Sequence, residues 1–458
     1  MRTLTTIVTV LAGTALLAFA LLLTIGLAAG WQFANTILRR NWRVGVRLPD
    51  PCLYLQQLNV DPGTPFELCV HSTSPAEVLL QRCGADGWVD IGPPVSVPAT
   101  KQQAKLDIWN GMGWPTTVTI PTTAVPPGQF RFVVRHVAPA NNNSNKNAYV
   151  AGGIITGPAT GVLVLSSTNT WHAYNDFGGL SNYTDHASPL PFRPFNIAAK
   201  LLNMKIRIAD RHHFPVVPLA EHRPNSALQR EATGAEPVPA HLLQGEVPLI
   251  ALLERTATPY SVLSDRRFAH CGVPTETQLV ICNTHAEYWS YAHLSHVREC
   301  GERGISVAVL SGNSAFRICD HLEHTVTVIE QISDRALITG VLGAYYDAPG
   351  FLSSGAYVVT DADHWLFAGT GLHAGETFGA GASGFETDTS GPAAHGFLTV
   401  ARGDNVEGPA VLVVKDLPGG AFVLNTSSVA FTSRCDDPVI AQLIANMVTR
   451  ASGSGVSK

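Results

Sequence analysis

The sequence predicts an α/β domain on a mostly parallel sheet, preceded by a small β-sandwich and one N-terminal transmembrane helix. Three observations predict it. Residues 7–31 are almost purely apolar, residues 50–155 carry short apolar runs broken by Pro/Gly turns, and from Gly161 strand-like runs alternate with helical ones.

As a helix, Ile7–Trp31 spans about 37 Å at 1.5 Å per residue, enough to cross a bilayer. No charged side chain occurs between positions 3 and 38. A cleaved secretory signal is the competing reading, since Arg2 supplies a charged start and Leu27–Gly30 is small enough to cleave. Such signals have shorter apolar regions, roughly 7–15 residues. The expectation is therefore a single-pass membrane protein, anchored through residues 1–48. Arg39, Arg40, Arg43 and Arg47 turn the body toward the cytoplasm. Eight cysteines with no C-x-x-C pair suit an oxidising compartment instead, so the side of the body stays open.

Within 50–155, the runs Phe66–Val70, Ala76–Gln81, Thr117–Ile120 and Phe130–Val134 are separated by turns such as Asp61-Pro62-Gly63 and Pro126-Pro127-Gly128. Short strands at this spacing predict a β-sandwich. The domain from 160 to 450 opens with Val162–Leu165, a continuous apolar run fit for a strand buried on both faces. Val247–Arg255 has helical periodicity, Tyr260–Leu263 and Gln278–Cys282 are strand-like, and Ser290 caps a helix carrying Leu294, Val297 and Cys300 on one face. Ile305–Leu310 is a further buried strand. The C-terminal part reads as hairpins over Gly396–Ala401, Ala410–Val414 and Ala421–Asn425, followed by a helix over Pro438–Arg450. Arg193–Gln244, rich in proline, reads as an excursion from the core.

Composition narrows the function. Charged residues make up only 14% and hydrophobic residues 45%, which excludes a charge-rich disordered chain. A net charge of −5 with pI near 6.4 gives no footprint for nucleic acid. There is no G-x-S-x-G elbow, no P-loop and no H-E-x-x-H. Gly379–Gly384 formally fits G-x-G-x-x-G but does not sit between a strand and a helix. Cys282 lacks the flanking glycines of a strained elbow and reads as a small buried hydrophobe. His293 and His296 read as solvated positions on a helix surface.

Polar residues gather at strand ends, where open parallel sheets bind ligands. After Val162–Leu165 come His172, Tyr174 and, nearby, Tyr183; after Gln278–Cys282 come His285 and Glu287; after Ile305–Leu310 comes Asn313. Each has an ordinary alternative: His285 bonded to backbone, Glu287 at a helix start, the tyrosines as aromatic wall, Asn313 as a turn residue.

The stretches Thr168–Asn175, Gly178–Tyr183, Pro191–Phe195, His285–Ser290, Leu310–Asn313, His364–Leu372 and Gly384–Asp388, in that order, resemble the N,N-dimethylformamidase large (beta) subunit family. The resemblance implies a glutamine-amidotransferase-like parallel sheet with β-rich additions. It also implies hydrolysis of a carbon–nitrogen amide bond at one mononuclear non-haem ferric iron per chain, held by Tyr174, Tyr183 and Glu287. His285, Asn313 and Glu386 are the implied catalytic residues. Phenolate and carboxylate are hard oxygen donors suited to a hard cation. Ala286 replaces an acidic residue common in the family. The partners expected are a small-molecule amide, the lipid bilayer through residues 7–31, and either a second copy or a small accessory subunit. The rival reading is a non-catalytic binding protein using the same strand-end pocket.

Overall fold

The computed structural model describes residues 48–103, 111–137, 148–177, 219–235, 238–322, 324–330 and 333–453. Nine strands form the largest sheet: β1 Val162–Ser166, β2 Tyr260–Ser264, β3 Leu279–Thr284, β4 Ser306–Ser311, β5 Ser353–Val359, β6 Thr377–Phe385, β7 Leu398–Gly403, β8 Val411–Asp416 and β9 Phe422–Asn425. Their spatial order is β2-β1-β3-β4-β9-β8-β7-β5-β6. The pairs from β2 to β9 are parallel and those from β9 to β6 antiparallel.

The helices of the described residues are α1 Thr168–Tyr174, α2 Ser226–Ala232, α3 Leu243–Arg255, α4 Asp265–Cys271, α5 Tyr291–Glu302, α6 Arg335–Leu342 and α7 Pro438–Ala451. One face buries Val162, Val164, Ile281, Leu310 and Leu424 with Leu249 and Leu253 of α3 and Ile440, Leu443 and Met447 of α7. The other buries Leu163, Leu165, Val280 and Val309 with Phe268 of α4, Leu294 and Val297 of α5, and Leu342 of α6. Alternate residues of each strand thus enter opposite cores, which is why these strands are apolar throughout. Local signals set the helix ends. Asp437 accepts from the Val439 and Ile440 amides with Pro438 in the first turn of α7, and Gly343 closes α6 at φ 78°.

Residues 52–155 form two further sheets. Cys52–Leu55, Phe66–His71 and Val118–Ile120 make one, and Asn59–Val60, Tyr149–Ile155, Gly128–His136, Ala76–Gly84 and Gly87–Asp90 the other, with Val95–Val97 paired to Ala76–Gly84. Phe66, Phe130 and Phe132 fill the core, with Phe66 edge-on to Phe132 at 4.9 Å. Each such ring contributes on the order of 1.5–3 kcal/mol by burial. The strand Tyr149–Ile155 is buried along its whole length, and a Cβ on Gly152 would stand 2.7 Å from the Trp171 ring of α1.

Deep in the join lies a buried carboxyl. Glu246 of α3, 1% exposed, accepts from the Ser167 amide (2.8 Å), the Trp171 indole (3.1 Å), the Ser166 hydroxyl (2.6 Å) and the Gln129 amide. Burial pushes its pKa up to about 8 against the pull of these donors.

Three expectations are corrected. The chain is not a glutamine-amidotransferase-like α/β fold: the described residues are mostly β, in five sheets, and the largest is only half parallel. The runs read as hairpins, β7 to β9, are antiparallel but continue the same sheet as the parallel strands, and apolar runs do not report which strands share a sheet. The single-pass membrane placement is corrected to what the described residues show: among them no helix is long and apolar enough to cross a membrane, and the expected span, 7–31, lies outside them. His293 is not solvated but 1% exposed, stacked on Trp289 at 4.1 Å. Gly379–Gly384 lies within β6, and all eight cysteines are free thiols, seven of them buried.

Glu246 yields two predictions. Glu246→Ala leaves four buried donors without their acceptor and should cost about 3 kcal/mol or more in urea unfolding. In the folded chain the carboxyl keeps its proton up to about pH 8, whereas its ordinary value is 4.5. Folding therefore takes up a proton between these values, and this group's contribution to stability falls as pH rises through that window. Glu246→Gln should flatten that part of the stability–pH curve.

Candidate active site

The carboxyl ends of β3 and β4 turn sharply, and the turns aim polar side chains at one place. Thr284 ends β3 at φ 59°, with its hydroxyl on the Gly245 carbonyl at 3.0 Å, and His285 follows. The Ala286 amide then donates to the Ser311 hydroxyl of β4 at 2.9 Å. Beyond β4, Asn313 adopts φ 52°, a conformation asparagine tolerates. Gly312 before it is needed for space, because a Cβ there would stand 2.2 Å from the Glu386 carbonyl oxygen. Phe385 leaves β6 at φ 67° and delivers Glu386. Ala315 and Ser427 also have positive φ at these corners. Such backbone costs on the order of 1–3 kcal/mol per residue and clusters where function needs it.

Two short sheets frame the group. Tyr288–Trp289 pairs in parallel with Arg317–Leu322, so Arg317 lies beside Glu287, and Tyr345–Tyr346 pairs with Asp388–Thr389, so Tyr346 stands opposite Asp388. The centre is His285, fully buried. Its Nε2 is 3.1 Å from Glu386 Oε2 and 3.6 Å from Glu287 Oε2. The Asn313 side-chain amide donates to the same Glu386 oxygen at 2.7 Å, while the Asn313 backbone amide donates to Asp388 Oδ1 at 2.7 Å. Arg317 Nε donates to Glu287 Oε1 at 3.2 Å. Tyr174, at the end of α1, places its ring 5.5 Å from that of His285.

These neighbours decide the charges. Burial favours neutral His285, but the carboxylates of Glu386, Glu287 and Asp388 outweigh it and raise its pKa. Burial likewise opposes ionisation of Glu386, yet His285 and Asn313 hold its pKa below the ordinary value. Asp388 is pushed up to about 7 by burial, with Glu386 adding repulsion against the pull of the Asn313 and Ser314 amides. The result is an imidazolium–carboxylate pair with a second, more basic carboxyl behind it.

Of the residues named from sequence, Tyr174, His285, Glu287, Asn313 and Glu386 come together; Tyr183 lies outside the described residues. Sequence reading missed His241, which packs against both Tyr174 (5.1 Å) and His285 (5.2 Å) from the segment read as an excursion. It also missed Arg317, Tyr346 and Asp388. Asp388 had a signal, its place in the Gly384–Asp388 stretch two residues past Glu386; His241 had none.

Among the described residues no group of three or more His, Cys, Asp or Glu side chains is arranged to hold a metal. The expected iron ligands are of another kind, phenol and carboxylate oxygens. Tyr174 and Glu287 both border His285, and the chemistry of these donors fits a hard cation.

A buried histidine thus stands between carboxylates at strand ends, an arrangement that can hold or move a proton. The chain belongs to the family described as N,N-dimethylformamidase beta subunit-like, C-terminal, whose model matches residues 91–336 and 330–439. That membership makes it a dimethylformamidase-like hydrolase in class. No curated protein matches it. Among solved structures, a family 123 glycoside hydrolase from Clostridium perfringens shares 8% identity, with 64% of this chain and 76% of that one covered, at a TM-score of 0.12. A likeness that slight carries no argument.

Gly312→Ala should be among the most damaging small substitutions in this region. The forced displacement of the Glu386 backbone should lower stability by about 2 kcal/mol or more and move the His285 imidazole resonances in NMR.

Proposed function

We propose that this protein hydrolyses the carbon–nitrogen bond of a small amide, with Glu386 as general base and His285 as the cation that meets the developing oxyanion. The observation that carries this reading is the contact of His285 Nε2 and the Asn313 amide with one oxygen of Glu386, at 3.1 and 2.7 Å. Asn313 and His285 orient Glu386 and keep it ionised, the state a base needs. As water oxygen bonds to the carbonyl carbon, Glu386 takes the water proton. The negative charge that forms on the carbonyl oxygen faces His285. Collapse breaks the C–N bond, and the proton held by Glu386 passes to the amine nitrogen. The products are a carboxylic acid and an amine. Asn313 thus positions the base, because its side-chain amide is already committed to Glu386.

Tyr174 and Glu287, with Tyr183, are the proposed holders of a ferric ion. When bound, such an ion polarises the amide carbonyl and acidifies water. Arg317 holds one oxygen of Glu287 and leaves the other beside His285.

Iron-replete protein should be coloured by a tyrosinate-to-iron band that weakens or is lost in Tyr174→Phe. Hydrolysis of a panel of simple amides should fall about 10²–10⁴-fold in Glu386→Gln. Amide binding with no hydrolysis in iron-loaded wild type would favour the rival, a binding protein. Full activity in Glu386→Gln would remove Glu386 from the chemistry.

A further inference from the structure

Asp388 has no part in the reaction as written above, yet it holds a residue that does. The segment Glu386–Asp388 lies fixed against Ser427–Val429. The Val429 amide donates to the Glu386 carbonyl at 3.1 Å, Thr387 bridges Ser428, and the Asp388 amide donates to the Ser427 carbonyl at 2.9 Å. On its other side Asp388 pairs with Tyr346. From this fixed segment two carboxylates reach the same turn. Glu386 accepts from the Asn313 side-chain amide at 2.7 Å and Asp388 from the Asn313 main-chain amide at 2.7 Å. The Ser314 amide also bonds to Asp388. These contacts close a ring through Thr387, so Asn313 is gripped by side chain and main chain at once. Asn313 stands at φ 52°, a conformation that persists only where its surroundings enforce it. Asp388, 1% exposed, supplies that enforcement from a place water barely reaches.

Resting on the amide-hydrolase reading, we infer that Asp388 is a positioning residue for the base, acting through Asn313. Its hydrogen bonds to the turn hold Asn313 in the left-handed region, and there the side-chain amide reaches Glu386. Without them the turn relaxes toward negative φ and the Asn313 side chain swings off Glu386. The base then loses the donor that orients it. The role calls for an acceptor oxygen at this place rather than for a charge, since a second ionised carboxylate so near Glu386 only adds repulsion. A side-chain amide of the same shape offers such an oxygen and serves the turn nearly as well.

The test is a double-mutant cycle in the full, iron-replete chain, with kcat and KM measured on the simple amide that wild type cleaves fastest. Asp388→Ala should lower kcat about 10²-fold, the cost of a slightly misplaced base. KM should stay within about threefold, because Asp388 does not act on the substrate. Asn313→Ala removes the side-chain amide from Glu386 but leaves the main-chain amide on Asp388. In that background Asp388→Ala should cost less than about threefold in kcat, since the contact it supports is already gone. Asp388→Asn, which keeps an acceptor for the turn, should stay within about tenfold of wild type. A merely structural role gives the same loss in both backgrounds, and equal losses in folded protein overturn the inference. If Asp388→Ala does not fold, Asp388→Asn decides. Retained turnover supports the inference, and a loss of about 10²-fold in folded Asp388→Asn overturns it by showing that the charge matters. If wild type cleaves no simple amide, the amide-hydrolase reading itself fails, and this inference with it.

Discussion

One buried carboxyl stands where the main parts of the molecule meet. Glu246 sits where α3, the end of β1, the start of α1 and the strand Gly128–His136 meet, and it receives a hydrogen bond from each neighbour. Ser166 and Ser167 are the residues through which the chain leaves the sheet for α1, the helix that ends on Tyr174. Without the acceptor, the β1–α1 turn has buried donors and no reason to keep its present course. The position of Tyr174 beside His285 therefore depends on a contact made at the other end of α1. The same helix carries Trp171, which fits the gap left by Gly152, so the sandwich core and the site share one element.

The site is arranged by the same economy. His285, Asn313 and Glu386 come from three different strand ends, and each is set by a backbone turn that most residues avoid. Their side chains then fix one another's ionisation: the carboxylates hold a proton on the imidazole, and the imidazolium keeps Glu386 charged. Two kinds of support remain outside this exchange. Arg317 is brought to Glu287 by a short parallel strand pair, and Asp388 accepts from the backbone of Asn313 rather than joining the front row.

Much of this was legible in the sequence because it depended on local pattern. Val162–Leu165 and Ile305–Leu310 are apolar throughout because both their faces are covered, and polar residues follow them because the sheet ends there. Direction and neighbour order are not local properties. The hairpin strands β7 to β9 continue the parallel half in one sheet, a neighbour order their sequences do not carry, so the class of the sheet was misread. His293 was misread for a related reason: its helical position looks polar, but α5 packs that side against Trp289 and Phe268. His241 was invisible because a residue preceding a helix in a proline-rich stretch carries no periodic signal. Only the tertiary return of that stretch to the ends of β3 and β6 brings it to the site.

The thiols have a practical consequence. Cys52, Cys83, Cys282, Cys300, Cys319 and Cys435 are buried in different cores, and burial holds each thiol above its ordinary ionisation range, while Cys271 alone is exposed. An alkylating reagent meets one ready sulfur in the native chain, and it reaches the others only as each region opens. Mapped by peptide, the order in which they become alkylated gives an internal clock of which layer loosens first.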